Sequence, residues 1–218
     1  MEKNDLIEHS PVRYFDATNA NLKNGEMGLV TAKKGLGKTS VLVQFGIDTL
    51  LKDKALVHIS FDQQSSNVIA WYSSVMAEIA KKKSFNIADL NEDIIRNRTI
   101  LNFNQETFTL PKVVNTLKAL NDGGIKIDSV VLDDLDLSKT SKADLDCFAD
   151  FVKASNMTAW FSYTNEAADL KGTLDEDKLA DFASVAHLAN DGKALSLSIL
   201  KNGEGKVNLD AKTLLMTK

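Results

Sequence analysis

Residues 32–40 read Ala-Lys-Lys-Gly-Leu-Gly-Lys-Thr-Ser, and this stretch decides the fold class. It follows the phosphate-binding pattern G-x-x-x-x-G-K-[ST], known as Walker A, except that alanine stands at the first glycine. Gly35 and Gly37 allow the backbone to curl so that successive N–H groups face one anion. In such a loop Lys38 reaches the β- and γ-phosphates of a nucleotide, and the Thr39 hydroxyl is a ligand of Mg²⁺.

The residues on either side give the loop a suitable setting. Met27-Gly-Leu-Val-Thr31 is a short apolar run suited to a buried strand, and residues 40–51 carry apolar side chains at helical spacing. A helix in this place points its positive N-terminal end at the same anion. A lysine-rich surface turn is the alternative interpretation of the motif alone. The predicted nucleotide-binding residues are Lys34, Gly35, Leu36, Gly37, Lys38, Thr39 and Ser40.

Strand-like runs alternate with helical patterns along the rest of the chain. The further predicted strands are 55–61, 99–103, 129–132 and 158–163, and the predicted helices are about 65–82, 110–121 and 142–154. This alternation predicts an α/β fold with a mainly parallel, twisted sheet flanked by helices. We expect residues 1–14 to form an N-terminal extension and residues 15–218 a single domain.

The last part of the chain has a different pattern. Residues 194–200 alternate between apolar and polar side chains, residues 202–205 supply a turn, and residues 206–210 resume the alternation. This pattern predicts a C-terminal antiparallel β-hairpin at the edge of the sheet.

Acidic residues follow two of the predicted strands. Asp133 ends the apolar run 129–132, as in a Walker B element, and is predicted to hold Mg²⁺ opposite Thr39. Asp62 ends the strand 55–61 and is the candidate that orients or deprotonates an attacking water. Because ligands collect at the carboxyl ends of parallel strands, we expect these side chains to converge.

Polar residues also end the strand 158–163. Ser162, Thr164 and Asn165 are candidates for contact with a γ-phosphate, and a merely polar strand end is the alternative. His58 and His187 lie within or beside strands, where we expect them to pack.

Composition limits the class of protein. The 218 residues are 44% hydrophobic and 26% charged, with a net charge of −4, which does not indicate nucleic-acid binding. The basic run 81–83 leaves nucleic-acid binding as an open alternative. No apolar run approaches the length of a membrane span, and the N-terminus lacks the pattern of a secretion signal. We therefore expect a cytoplasmic protein, with the lone Cys147 a small buried residue of an amphipathic helix.

These motifs, in this order, resemble the RecA-like ATPases, particularly their KaiC and DnaB branches. Residues 24–31 are similar to the family's approach to the phosphate loop, and Ala32 also occurs in DnaB-type loops. Residues 59–63 resemble the strand that carries the family's water-activating glutamate, and residues 131–135 resemble its Walker B strand. Residues 200–203 are similar to the hairpin whose Lys-x-Arg finger touches a neighbouring subunit's nucleotide.

The resemblance implies binding of ATP with Mg²⁺ and assembly into a homo-oligomer or with a RecA-like partner. It assigns catalytic roles to Lys38, Asp62 and Lys201, the last reaching across a subunit boundary. Two departures imply slow or partner-dependent hydrolysis. The family glutamate is replaced by the shorter Asp62, followed by Gln63, and the finger arginine is missing, a change that costs roughly 10³–10⁵ in rate.

Two other interpretations stay open. An AAA+ ATPase of the DnaA or helicase-loader kind shares these motifs, with Asp134 in the general-base position. The strand-like alternation of residues 194–210 argues against its helical lid. A degenerate scaffold that binds ATP without hydrolysing it is the second. Tyr14 and Phe15 either stack on the base or belong to a packed N-terminal segment.

Overall fold

The computed structural model describes residues 7–8, 10–61, 63–83, 96–167 and 174–218. These residues form an α/β structure in which helices cover both faces of a central sheet. Its strands are β1 (Met27–Ala32), β2 (Leu56–Phe61), β3 (Arg98–Phe103), β4 (Ser129–Asp133), β5 (Thr158–Thr164), β6 (Phe182–Asn190), β7 (Leu195–Lys201), β8 (Lys206–Leu209) and β9 (Met216–Thr217). Its helices are α1 (Arg13–Asp16), α2 (Lys38–Leu51), α3 (Ser65–Lys83), α4 (Leu110–Asp122), α5 (Lys142–Ala154) and α6 (Glu176–Ala180).

The described strands lie in the order β3-β2-β4-β5-β1-β6-β7-β8-β9. Neighbours from β3 to β6 are parallel, while β6, β7, β8 and β9 pair antiparallel in sequence. The predicted mainly parallel sheet and its C-terminal hairpin, β7–β8, are therefore confirmed. Because β1 lies between β5 and β6, the loop that follows β1 faces the ends of both.

The core has two parts, one on each face of the sheet. Alternate side chains of β1 point to opposite faces, so Leu29 packs towards α4 and α5, whereas Val30 packs towards α2 and α3. Every residue of β1, β2 and β4 is buried, as expected for parallel strands covered on both sides. The sheet thus forms a rigid platform beneath its carboxyl edge.

The sequence left open whether Phe15 packs in the core or stacks on a base. Phe15 lies in the core, with its ring 4.9 Å from that of Phe45 and 5.6 Å from that of Trp160, which confirms the packing interpretation for this residue. His58 and His187 are also buried, as expected. None of the helices in the described ranges has the length and apolar character needed to cross a bilayer.

Cys147 is exposed, so the expectation that it is buried was wrong. The buried face of α5 is formed by Leu145, Phe148 and Val152, which follow helical spacing. Cys147 is two positions from Leu145 and therefore lies on another side of the helix.

Candidate functional site

A glycine-rich loop joins β1 to α2. Gly35 and Gly37 have φ values of +82° and +103°, in the region that favours glycine. Gly37 immediately precedes the first residue of α2, so the helix N-terminus opens onto the loop. Lys33 and Lys34 are exposed. The curled backbone predicted at Gly35 and Gly37 is present.

Lys38 is the first residue of α2 and is only 6% exposed. Its Nζ donates a hydrogen bond to Thr164 Oγ1 at 3.0 Å and lies 3.6 Å from Asp134 Oδ1. The first turn of α2 contains no acidic residue, and a cation at a helix N-terminus adds to the positive end of the dipole. This end of the loop is therefore suited to an anion.

A buried carboxylate lies beside the start of α2. Thr39 Oγ1 donates to Asp133 Oδ2 at 2.7 Å, and Ser162 Oγ donates to Asp133 Oδ1 at 2.6 Å. Asp133 is 1% exposed, and burial raises the pKa of its carboxyl, while the two hydroxyls and the charge of Lys38 act in the opposite direction. The side chains therefore bring a hydroxyl and a carboxylate, both ligands that hard cations prefer, into direct contact.

Asp134 points the other way. Its backbone has a φ of +62°, uncommon for a residue with a side chain, and its N–H donates to Ser162 Oγ at 2.8 Å. The side chain is 36% exposed, and its pKa is raised first by burial and then by the neighbouring Asp133. The charge of Lys38 and hydrogen bonds with Lys38 and Gln63 lower that pKa. Ser162 thus holds one acid inward and its neighbour towards solvent.

These groups lie along an open cleft of about 720 Å³ at the carboxyl edge of the sheet. Residues of the glycine-rich loop and of the start of α2 line it: Lys34, Gly35, Gly37, Lys38 and Thr39. The other lining residues are Phe61, Gln63, Trp71, Gln105, Asp134, Leu135, Asp136, Tyr163, Thr164 and Leu214. A cleft of this size is typical of small-molecule sites.

The remaining predicted residues lie in different places. Ser40 is buried, and its Oγ has no hydrogen-bond partner within the described part of the chain. Leu36 packs against the core next to the loop. Lys201 Nζ donates to the carbonyls of Leu179 and Ala180 at 3.1 Å, at the end of α6 and outside the cleft lining. Its predicted contact with another subunit stays a prediction.

Asp62 lies outside the described residues, so its predicted role also stays a prediction. The neighbouring Gln63 lies in the cleft lining. Asn165 is buried, its N–H donates to the carbonyl of Ala32, and its side chain accepts from the N–H of Ala167. Of the three polar residues at the end of β5, Ser162 contacts Asp133 and Thr164 contacts Lys38, which gives both a place in the site.

Sequence reasoning assigned no role to seven residues of the cleft lining: Phe61, Trp71, Gln105, Leu135, Asp136, Tyr163 and Leu214. Four of these lie at or just after strand ends, so their position was a usable signal: Phe61, Leu135, Asp136 and Tyr163. Trp71, Gln105 and Leu214 reach the cleft from a helix and from two loops distant in sequence, and no local pattern marks them.

No protein-family model matches this chain, and no curated protein matches it. The fold and the residues of the cleft are therefore the basis for a function.

Proposed function

We propose that this chain is a RecA-like P-loop protein that binds ATP with Mg²⁺, and that slow or partner-dependent hydrolysis controls its assembly. The observation that carries the proposal is the 2.7 Å hydrogen bond between Thr39 and Asp133, which are 94 positions apart. The first turn of α2, directly after the glycine-rich loop, presents Thr39, and the end of a buried parallel strand presents Asp133. That juxtaposition is what a loop binding phosphate and magnesium requires.

The loop suits a polyphosphate. Gly35 and Gly37 free the backbone N–H groups for an anion, and Lys38 adds a positive charge at the helix N-terminus. An ammonium has three donors, and the contacts with Thr164 and Asp134 use two of them. The buried hydroxyl of Ser40, unpartnered within the described residues, supplies a further donor beside the loop.

The residues also fit Mg²⁺. Within the described ranges no group of three or more His, Cys, Asp or Glu side chains could hold a metal by itself. Mg²⁺ is usually bound by one or two protein oxygens together with phosphates and waters, and Thr39 and Asp133 would supply those oxygens. When bound with the nucleotide, the ion would neutralise charge that develops on the phosphates.

The C-terminal strands support the RecA-like proposal over the AAA+ alternative. β7 and β8 form antiparallel strands where an AAA+ protein would have a helical lid. Slow hydrolysis is proposed because Asp62 replaces a glutamate and Lys201 stands without a finger arginine. In this chain Lys201 is bonded to the end of α6, so reaching another subunit requires it to leave those carbonyls.

The test is equilibrium binding of ATP with and without Mg²⁺, followed by turnover over a range of protein concentrations. We expect Lys38→Ala to weaken ATP binding by at least about tenfold, since a charge-assisted hydrogen bond is worth about 1.5–3 kcal/mol. Lys126→Ala is the matched control because Lys126 is exposed before β4, away from the cleft. Thermal unfolding shows whether both variants are folded, and Lys38→Met provides a second, longer apolar replacement.

The outcomes separate the candidate functions. Turnover that rises steeply with protein concentration supports a site completed between subunits. ATP binding without turnover at any concentration supports the scaffold instead. If the wild-type chain binds no nucleotide, the proposal is wrong.

A further inference from the structure

Leu214, which lines the cleft, belongs to residues 210–216, which we call the C-terminal segment. Asp210 folds it into a tight turn, since its carbonyl accepts from Leu214 N at 2.8 Å and its N–H donates to Leu215 O at 2.9 Å. The Asp210 carboxylate also accepts from the N–H of Thr213 at 2.8 Å. The turn therefore has a fixed shape of its own.

Gln44 attaches this segment to α2. The side chain is fully buried, its Nε2 donates to Leu214 O at 2.9 Å, and its Oε1 accepts from Met216 N at 2.8 Å. One amide group thus bonds the backbone on both sides of Leu215. Because Gln44 lies in the helix that begins at the glycine-rich loop, it fixes the position of the segment relative to that loop.

Leu214 has an uncommon conformation. Its φ is +57°, in the left-handed region where glycine is less strained. A Cβ atom added to Gly37 would lie 3.0 Å from Leu214 Cδ1, so the leucine side chain lies directly against the loop. Part of this side chain packs on the core, and part of it lines the cleft. The turn itself gives no reason for a leucine at a position with positive φ. We therefore attribute the presence of leucine to a contact that its side chain makes.

The lining of the cleft combines apolar and acidic groups. Leu214 presents an apolar surface beside Gly37, whereas the carboxylate of Asp134 lies 3.6 Å from Lys38 Nζ, the group proposed to meet the terminal phosphates. A nucleotide has an apolar base at one end and its reactive phosphate at the other. Carboxylates and amides suit the reactive end, because they can orient water there.

We propose that Leu214 forms the wall against which the nucleoside packs, with the terminal phosphate directed towards Asp134. This inference rests on the proposed nucleotide function. It adds the residue that makes the site bind a nucleotide more tightly than a bare polyphosphate. Trp71, which also lines the cleft, is the competing platform for a base, since aromatic rings also stack on bases.

The experiment compares two probes, ATP and inorganic tripolyphosphate, each with Mg²⁺, on the full chain. In Leu214→Gly the side chain is removed and the positive φ becomes less strained, so the segment is expected to keep its fold. We expect ATP to bind about five- to tenfold more weakly and tripolyphosphate to bind unchanged, from the apolar area lost. Ile125→Ala is the control, since Ile125 is a 37% exposed apolar residue outside the cleft lining.

Three results would overturn the inference. Equal losses for both probes would mean that Leu214 supports the loop and not the nucleoside. Unchanged ATP binding in Leu214→Gly, with a loss in Trp71→Ala, would place the base against Trp71. If the wild-type chain binds neither probe, the proposed function fails and this inference fails with it. Leu214→Asn, which also tolerates positive φ, serves if the glycine variant unfolds.

Discussion

Replacing Thr39 with valine keeps the side-chain shape and the β-branching but removes the hydroxyl that bonds Asp133 at 2.7 Å. Asp133 is 1% exposed, so water has little access to replace the lost donor, and Ser162 remains as its other hydroxyl partner. Loss of a hydrogen bond to a buried carboxylate costs about 1.5–3 kcal/mol. We therefore expect Thr39→Val to lower the free energy of unfolding by about 2 kcal/mol, without any ligand.

The assay is urea unfolding, followed by circular dichroism, with Thr39→Ser as the matched control. Serine keeps the hydroxyl, so it should unfold within about 0.5 kcal/mol of the wild type. The same variants then report on the metal. ATP binding should lose its dependence on Mg²⁺ in Thr39→Val and retain it in Thr39→Ser. A valine variant as stable as the wild type, and equally dependent on Mg²⁺, would refute both the energetic argument and the proposed metal site.

Two further predictions concern the fold. Burial, followed by the charge of Arg98, lowers the pKa of His58 from 6.5 to about 3, so as pH falls below 6.5 the unfolded chain binds the proton first. Protonation of His58 in the unfolded chain should lower the free energy of unfolding by up to about 1.4 kcal/mol per pH unit. Urea titrations from pH 6.5 to 4 should therefore show a smaller fall of this free energy with pH in His58→Gln than in the wild type. A Cβ at Gly28 would lie 2.3 Å from the Trp160 ring. Gly28→Ala should therefore lower the free energy of unfolding in urea by about 2–3 kcal/mol. A variant as stable as the wild type would contradict this close approach.

The regular elements were predictable because their patterns are local. Apolar runs bounded by turn residues marked β1, β2, β3, β4 and β5, and helical spacing marked the helices from α2 to α5. The helix Lys142–Ala154 has the predicted bounds, since Ser141 accepts a hydrogen bond from Asp144 N and caps its start. Such signals lie within a few residues of the element that they define.

Other features depend on contacts distant in sequence. β6 (Phe182–Asn190) was not predicted as a strand because three of its nine residues are alanine, and it becomes a strand by pairing with β1 and β7. The position of β5 between β1 and β4 is also a tertiary result. Gln44 and the C-terminal segment are 170 positions apart, so no motif links them.

Two adjacent acids have different surroundings, and the local sequence does not predict this difference. Asp133 and Asp134 are identical side chains on one strand end, yet one is buried against Thr39 and the other faces the cleft. Ser162, on the neighbouring strand, donates to the first carboxylate and accepts from the backbone of the second. Because the same hydroxyl makes both bonds, removing it in Ser162→Ala would loosen both acids at once. The site therefore depends on a residue that the acidic motif does not contain.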